Sequence, residues 1–122
     1  VSNQKGKQNL TAIIKDKKGK ILSIGKNSYT KTHPIMYNYA KKVEGHYTKK
    51  VYLHAEIDAI IRCDDLEEAY KIEVYRINKH NQYALSKPCK VCMTAIKHTN
   101  IKVVGYIDDK GEYVEKLVEE LE

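Results

Sequence analysis

The chain of 122 residues has no tryptophan and no phenylalanine, so its aromatic bulk rests on ten tyrosines. Three cysteines are too few for a disulfide framework, and a reducing, cytoplasmic setting is the expectation. No apolar run approaches the roughly 20 residues that a membrane helix needs, and no signal-peptide pattern opens the chain. Arginine is scarce, limited to Arg62 and Arg76. The formal charge of +6 is therefore carried almost wholly by lysines, which are scattered along the whole length. A nucleic-acid binder gathers its basic residues on one face or stripe; scattered lysine reads instead as a solvated surface. With plentiful isoleucine, asparagine and tyrosine, it amounts to a compositional bias. No internal repeat, linker or low-complexity segment interrupts the chain. Its length suits one domain with one core, taken as 1–122, in which residues 1–9 form a disordered segment or a short arm.

What is present is an alternation of strand-like and helix-like segments, the pattern of an α/β domain. Leu10 to Lys15 and Lys20 to Ile24 are β-rich runs joined by Asp16-Lys17-Lys18-Gly19, a hairpin signal. Thr32 before Pro34 marks a helix start, with Ile35, Tyr39 and Val43 at helical spacing up to Gly45. A polar stretch from Gly45 to Lys50 leads into Val51-Tyr52-Leu53. His54 to Cys63 reads as a second helix, apolar at Ile57, Ile60 and Ile61. Lys71 to Ile77 alternates as a strand, Asn78 to Gln82 is a turn, and Tyr83 to Leu85 either extends the sheet or forms a loop near the site. Cys89 to His98 reads as a third helix and Ile101 to Ile107 as a strongly apolar strand. Asp108-Asp109-Lys110-Gly111 is a further turn, followed by a short strand and a C-terminal helix from about Glu115. So tight a turn joins antiparallel neighbours, since a parallel crossover takes a dozen or more residues.

The chemistry is concentrated in two motifs, His54-Ala55-Glu56 and Pro88-Cys89-Lys90-Val91-Cys92. One imidazole and two thiolates suit borderline-soft zinc, whereas magnesium or calcium would call for oxygen ligands. Three protein ligands leave the fourth tetrahedral position open, which marks a catalytic rather than a structural zinc. Cys89 and Cys92 lie one turn apart on one helix face, and Pro88 is a fitting first-turn residue. A helix N-terminus also favours thiolate. Glu56, in the first turn beside the metal, stands where a proton carrier is needed. Taken alone, a C-x-x-C is often a redox pair or half of a zinc knuckle, and a lone histidine is more often a core or surface residue. A closed structural site requires a fourth ligand from Cys63, His46, His80 or His98. Cys63 lies nine positions from His54, about two and a half helical turns, and reads as a buried apolar residue.

H-x-E followed by P-C-x-x-C is the signature of zinc deaminases acting on cytosine or adenine. By these residues the chain resembles the cytidine deaminase-like superfamily, from about Leu10 to its end. The resemblance implies a three-layer α/β/α fold with a mixed sheet of about five strands. It implies Zn2+ held by His54, Cys89 and Cys92, zinc-bound hydroxide attacking C4 of a cytosine-type base, and Glu56 as proton shuttle rather than ligand. The ending from Tyr106 to Leu117 looks more like the free-nucleoside cytidine deaminases than the tRNA adenosine deaminases, which carry a helix there. The implied substrate is thus a free nucleoside or nucleotide of the cytidine, deoxycytidine or dCMP class. Substrate contacts are implied at Asn27, at the backbone N–H of Ala55, at Ser86 and Lys87, and at His33 within Thr32-His33-Pro34. Asn27 reads equally as a turn residue, His33 as a helix cap and Lys87 as a solvated lysine. In similar families the His-containing loop runs quickly into the metal helix; here nineteen residues, Ile35 to Leu53, intervene.

Two other readings stand beside this one. The same chemistry on a base in single-stranded DNA or RNA is compatible with the lysines and with Tyr29, Tyr37, Tyr39, Tyr47 and Tyr52 as stacking platforms. The acidic ending, Glu115 to Glu122, opposes it. A non-catalytic zinc-binding interaction module belongs to a different class, and the intact Glu56 opposes that. Members of the superfamily commonly carry a helix ahead of the first strand, whereas nine mostly polar residues precede Leu10. One sheet face is then left to the Pro34 to Val43 helix, the C-terminal helix or a neighbouring subunit. A homo-oligomer, a dimer at minimum, is expected, with its interface near the metal helices and the Gly45 to Leu53 stretch.

Overall fold

The computed structural model describes residues 9–44 and 52–121. The Gly45 to Lys50 stretch, with His46 and Tyr47, lies outside the described residues. Alternation builds the first strand, β1 (Asn9–Lys15), with Ala12 and Ile14 buried on one face. The hairpin turn is closed by the Asp16 carboxylate, which accepts the N–H groups of Lys18 and Lys20, and Gly19 takes a φ of +91° that glycine adopts without steric cost. β2 (Ile21–Lys26) returns antiparallel. β3 (Lys71–Ile77) pairs antiparallel with the other edge of β1, and β4 (Val103–Ile107) runs parallel to β3. At Asp108 the same turn recurs: its carboxylate accepts the N–H groups of Lys110 and Glu112, and Gly111 has φ +81°. β5 (Tyr113–Leu117) then pairs antiparallel with β4, giving the order β2-β1-β3-β4-β5. This is the mixed five-stranded sheet expected, and the tight turn joins antiparallel neighbours.

The C-terminal helix expected from Glu115 does not form. Glu115 lies within β5, and only a single 3-10 turn, Val118–Glu120, follows. Tyr113, Glu115 and Leu117 alternate with a period of two, and the sheet holds each of them. Tyr113 lies over Gly105, Glu115 pairs with Lys71 at 2.8 Å, and Leu117 sits opposite Val103. These long-range partners outweigh the helix propensity of a Glu- and Lys-rich ending.

Among the described residues three α-helices complete the fold: α1 (Pro34–Glu44), α2 (Ala55–Arg62) and α3 (Lys90–Lys97). α2 turns Ala55 and Ala59 toward the sheet, and at Gly25 the backbones approach so closely that a Cβ would strike the Ala59 nitrogen and the Ala55 oxygen. Two hydrogen bonds fix this docking: Ser23 Oγ donates to the Ala59 carbonyl at 2.7 Å, and Asp58 accepts the Lys26 N–H at 2.9 Å. α3 turns Met93 and Ile96 into the same core, beside Ile72, Val74 and Val104. α1 packs on the far side of these two helices, where Met36 and Ala40 meet Ile57, Val91, Cys92 and Ala95. It therefore does not serve as the cover for the opposite sheet face. That face carries a chain of ion pairs through Lys15, Glu73, Lys71 and Glu115. Tyr75 and Tyr113 stack beside it, centroids 5.7 Å apart, donating to Glu73 and Glu115 respectively. No helix among the described residues is long and apolar enough to cross a membrane.

Candidate metal centre and its cavity

Both motifs fall at helix starts. His54 is the N-cap of α2 and Cys89 the N-cap of α3, each with extended backbone (ψ 153° and 170°). Their carbonyls take the first helical hydrogen bonds, from Asp58 at 2.9 Å and Met93 at 2.8 Å. Pro88 consequently sits one residue ahead of the cap, not in the first turn as expected. Cys92 is one turn inside α3 and buried. The two helix N-termini bring His54 Nδ1 to 3.3 Å from Cys92 Sγ and 3.6 Å from Cys89 Sγ. All three donor atoms lie within 4.8 Å of one another, and among the described residues no fourth His, Cys, Asp or Glu joins them.

Tetrahedral zinc, with nitrogen at about 2.0–2.1 Å and sulfur at about 2.3 Å, sets those donors about 3.6 Å apart. The donor set and its spacing therefore fit zinc, with the fourth position left to a non-protein ligand. Cys63 is the C-cap of α2 and buried in the sheet-side core, away from the cluster. His98 caps α3, with Tyr39 Oη 2.8 Å from its Nδ1, and His80 belongs to the turn after β3. His46 lies outside the described residues.

Glu56, in the first turn of α2, is 3% exposed. Burial is the largest influence on its carboxyl and raises the pKa to about 7, against the lowering effect of its own backbone N–H and of His54. It also shares a hydrogen bond with Cys92. The Cys89 thiol is held down at about 4, first by its hydrogen bond with Cys92, and Cys92 is pushed well above its ordinary value by that bond and by burial. The helix N-termini add partial positive charge to the same spot. Ligation requires both thiols as thiolates, so a bound cation takes the place of the remaining proton.

A cavity of about 450 Å³ opens beside this cluster, and Ala55, Glu56, Asn27, Ser86 and Lys87 are on its walls. Asn27 has two settings at once: its Oδ1 accepts the Leu10 N–H at 2.9 Å, prolonging the β1–β2 pairing, while the residue borders the cavity. Ser86 is buried; its hydroxyl donates to the Val74 carbonyl at 2.6 Å and accepts the Ile107 N–H at 2.8 Å, pinning the loop over β3 and β4. Lys87 is exposed. Both readings of the segment after β3 apply, since Tyr83 bridges to Ile77 and Leu85 borders the cavity. His33 is not among the lining residues; its Nδ1 accepts the Ile35 N–H at 3.1 Å and caps α1. Tyr29 and Tyr52 line the cavity, whereas Tyr37 and Tyr39 belong to α1.

Arg76 also lines the cavity and was not among the residues expected there. On β3 the helix-facing positions are Ile72, Val74 and then Arg76, one step beyond the core, and Arg76 Nη1 donates to the Leu85 carbonyl at 3.2 Å. That alternation is visible in the sequence and was the signal that could have located it.

Comparison with known proteins bears on the fold and the family. A solved cytidine deaminase from Burkholderia pseudomallei superposes with a TM-score of 0.59 at 14% identity, covering 93% of this chain and 78% of that one. At that identity the likeness speaks for the fold. No match is found among curated proteins. A family model of the cytidine and deoxycytidylate deaminase zinc-binding region matches residues 1–107, a span that holds His54, Glu56, Cys89 and Cys92. The chain belongs to the cytidine and deoxycytidylate deaminase family.

Proposed function

We propose that this chain catalyses the hydrolytic, zinc-dependent deamination of a cytosine-type base in a free nucleoside or nucleotide. The observation that carries this reading is a buried carboxylate, Glu56, on the wall of a cavity beside a three-donor cluster. A structural zinc site closes with four protein ligands and has no use for such a carboxylate. Zinc, when bound, supplies Lewis acidity that brings the pKa of a coordinated water to about 7. Glu56 accepts a proton from the attacking water and passes it to the ring nitrogen, then takes the proton left on the C4 hydroxyl and passes it to the departing amine. The water oxygen ends on C4, the C4–N bond breaks, and base plus water become the uracil-type product plus ammonia.

The other walls suit the same ligand. The Ala55 N–H heads α2 and, like every N-terminal helix amide, has no acceptor within its helix; it suits donation to the pyrimidine carbonyl. Asn27 suits the sugar or base edge, and the backbone of Ser86 and Lys87 suits the exocyclic amine. His33 has no part in this reading, because it caps α1 away from the cavity. A free substrate is favoured by the antiparallel β5 at the end of the sheet and by a cavity sized for one small molecule.

The test is ammonia release from cytidine, deoxycytidine, CMP, dCMP, their adenine counterparts and single-stranded oligomers. Free cytosine compounds should be turned over. Turnover of oligomers alone, with binding that falls steeply with salt as phosphate neutralisation requires, would hand the site to single-stranded nucleic acid. A homo-oligomer belongs to the same reading: no described helix packs on the second sheet face, where Ile24 and Leu117 are 47% and 42% exposed. Light scattering should give at least a dimer, and a lone 14.1 kDa species would refute this.

A further inference from the structure

We propose that Ser86 is a positioning residue for the metal centre: its hydroxyl bonds β3 and β4 at the point where they part, and so fixes the segment that delivers Cys89 to zinc. This role rests on the zinc part of the proposed function and not on the substrate.

The parting of the strands is visible in their pairing. In register, β3 and β4 run together from Lys71 with Val103 to Val74 with Tyr106, and no further. Beyond that point the chain that follows β3 fills the gap between them. On one side the Ala84 N–H donates to the Arg76 carbonyl at 2.9 Å, next to the bridge between Ile77 and Tyr83. On the other side the Ser86 N–H donates to the Ile107 carbonyl at 3.0 Å, so the loop takes the place of β3 beside the end of β4. The Ser86 side chain spans both strands. Its hydroxyl donates to the Val74 carbonyl at 2.6 Å and accepts the Ile107 N–H at 2.8 Å. Ligand crevices of open α/β sheets lie at such partings, outside the carboxyl ends of the strands, and here the cavity is lined by Ser86 and the residues around it.

A buried hydroxyl with its single donor committed to backbone has no proton to offer a substrate. Ser86 is 3% exposed, and its donor goes to Val74. What it controls is the run that follows. Three positions separate Ser86 from Cys89, and the backbone between them is stiff. Pro88 has a fixed φ, and the residue before a proline is confined to extended conformations, which restricts Lys87. Cys89 itself is extended, with φ −72° and ψ 170°. A stiff tether passes a shift at Ser86 on to the Cys89 sulfur. The two cysteines differ in how much this matters. Cys92 is buried within α3, whereas Cys89 is exposed and caps that helix, so its place depends on the segment leading to it.

The experiment measures zinc affinity by competition with a chromogenic chelator, at a temperature where each variant is folded, beside the melting temperature. Ser86→Ala should lower zinc affinity by about 10–100-fold, the usual cost of removing a group that orients a metal ligand. Ser86→Thr keeps a hydroxyl and should recover most of the loss. Val104→Ala opens the core of β4 away from the loop; it should lower the melting temperature yet hold zinc within about twofold of the unaltered protein, as separate sites act independently. A loss of zinc affinity in Ser86→Ala no greater than in Val104→Ala, at equal loss of melting temperature, overturns the positioning role. If Ser86→Ala does not fold, the unaltered protein decides. Coupling between two sites is reciprocal, so zinc should slow exchange of the Ile107 amide more than that of Gly105 on the same strand. Equal slowing overturns the proposal. Zinc loss in Ser86→Ala, with no turnover of any cytosine compound by the unaltered protein, keeps the positioning role and removes the deaminase reading. Turnover by the unaltered protein, with undiminished zinc affinity in Ser86→Ala, does the reverse.

Discussion

Glu56 and Asp58 are buried carboxylates two positions apart on α2, with opposite surroundings. Asp58 is taken up by the fold: it accepts the Lys26 N–H and pairs with Arg62. Glu56 is on the cavity wall beside the cluster. Glu56→Gln should therefore keep zinc content and melting temperature while lowering kcat by about 10²–10⁴ or more, the scale of a lost general acid/base. Near-normal turnover with metal intact would remove Glu56 from the mechanism. Asp58→Asn should act chiefly on melting temperature. Among the cysteines the contrast is one of place, and elemental analysis reads it: Cys89→Ala should lose zinc, and Cys63→Ala should retain it. The site residues most legible in the sequence were those defined by local spacing. His54 and Glu56, or Cys89 and Cys92, are a fixed short step apart, and a helix start orients both members of each pair. Arg76 depends on which face of β3 meets the helices and on the register with Leu10, neither of which a short motif encodes. His33 resembled a family loop, yet a local hydrogen bond to Ile35 claims its ring nitrogen.

The joint between β2 and α2 sets the height of His54 and Glu56 above the sheet. Gly25 permits it, since any side chain there meets α2 backbone that cannot swing aside. Gly25→Ala should destabilise the fold by about 1–3 kcal/mol, as overpacking does, and should weaken zinc retention because α2 must lift. Calorimetry and metal titration check the two effects together; loss of stability with zinc affinity unchanged would show that the cluster tolerates movement of α2. The elements themselves were mostly readable, because turn chemistry and periodicity agree at Asp16 to Gly19 and again at Asp108 to Gly111. The exception is the C-terminus. Tyr113 to Leu117 contains Glu and Lys that favour a helix locally, and only the side chains of β3 and the bare backbone of Gly105 make it a strand.

Across the whole molecule, the ion-pair chain on the open sheet face links β1, β3 and β5 and confers a pH dependence on stability. Burial alone would raise the Glu73 carboxyl, but hydrogen bonds from Lys15 and Tyr75 bring it below its ordinary 4.5. Lys71, then Tyr113, lower Glu115, and Glu115 in turn raises Lys71 above its ordinary 10.5. A carboxyl with a lowered folded pKa contributes above its unfolded value and loses that contribution as pH falls through the folded one; a raised lysine contributes below its unfolded value and loses it as pH rises. The melting temperature should therefore be flat between about pH 5 and pH 10 as far as this network is concerned, and decline on both sides. Glu73→Gln should lower the plateau and flatten the acid limb; an acid limb of unchanged slope would assign acid unfolding to other carboxylates. The metal cluster has a consequence of another kind. His54 and Cys89 are 35 positions apart along the chain, and an ion joining them closes a polymer loop that the unfolded chain leaves open. Zinc affinity is then partly folding free energy, so the melting temperature should climb with free zinc and drop with a chelator. Amide exchange should quicken first at the starts of α2 and α3, with β1 and β3 still protected. On this account the ion would be a rivet as well as a reagent, and zinc shortage should erase the cavity before it touches the sheet.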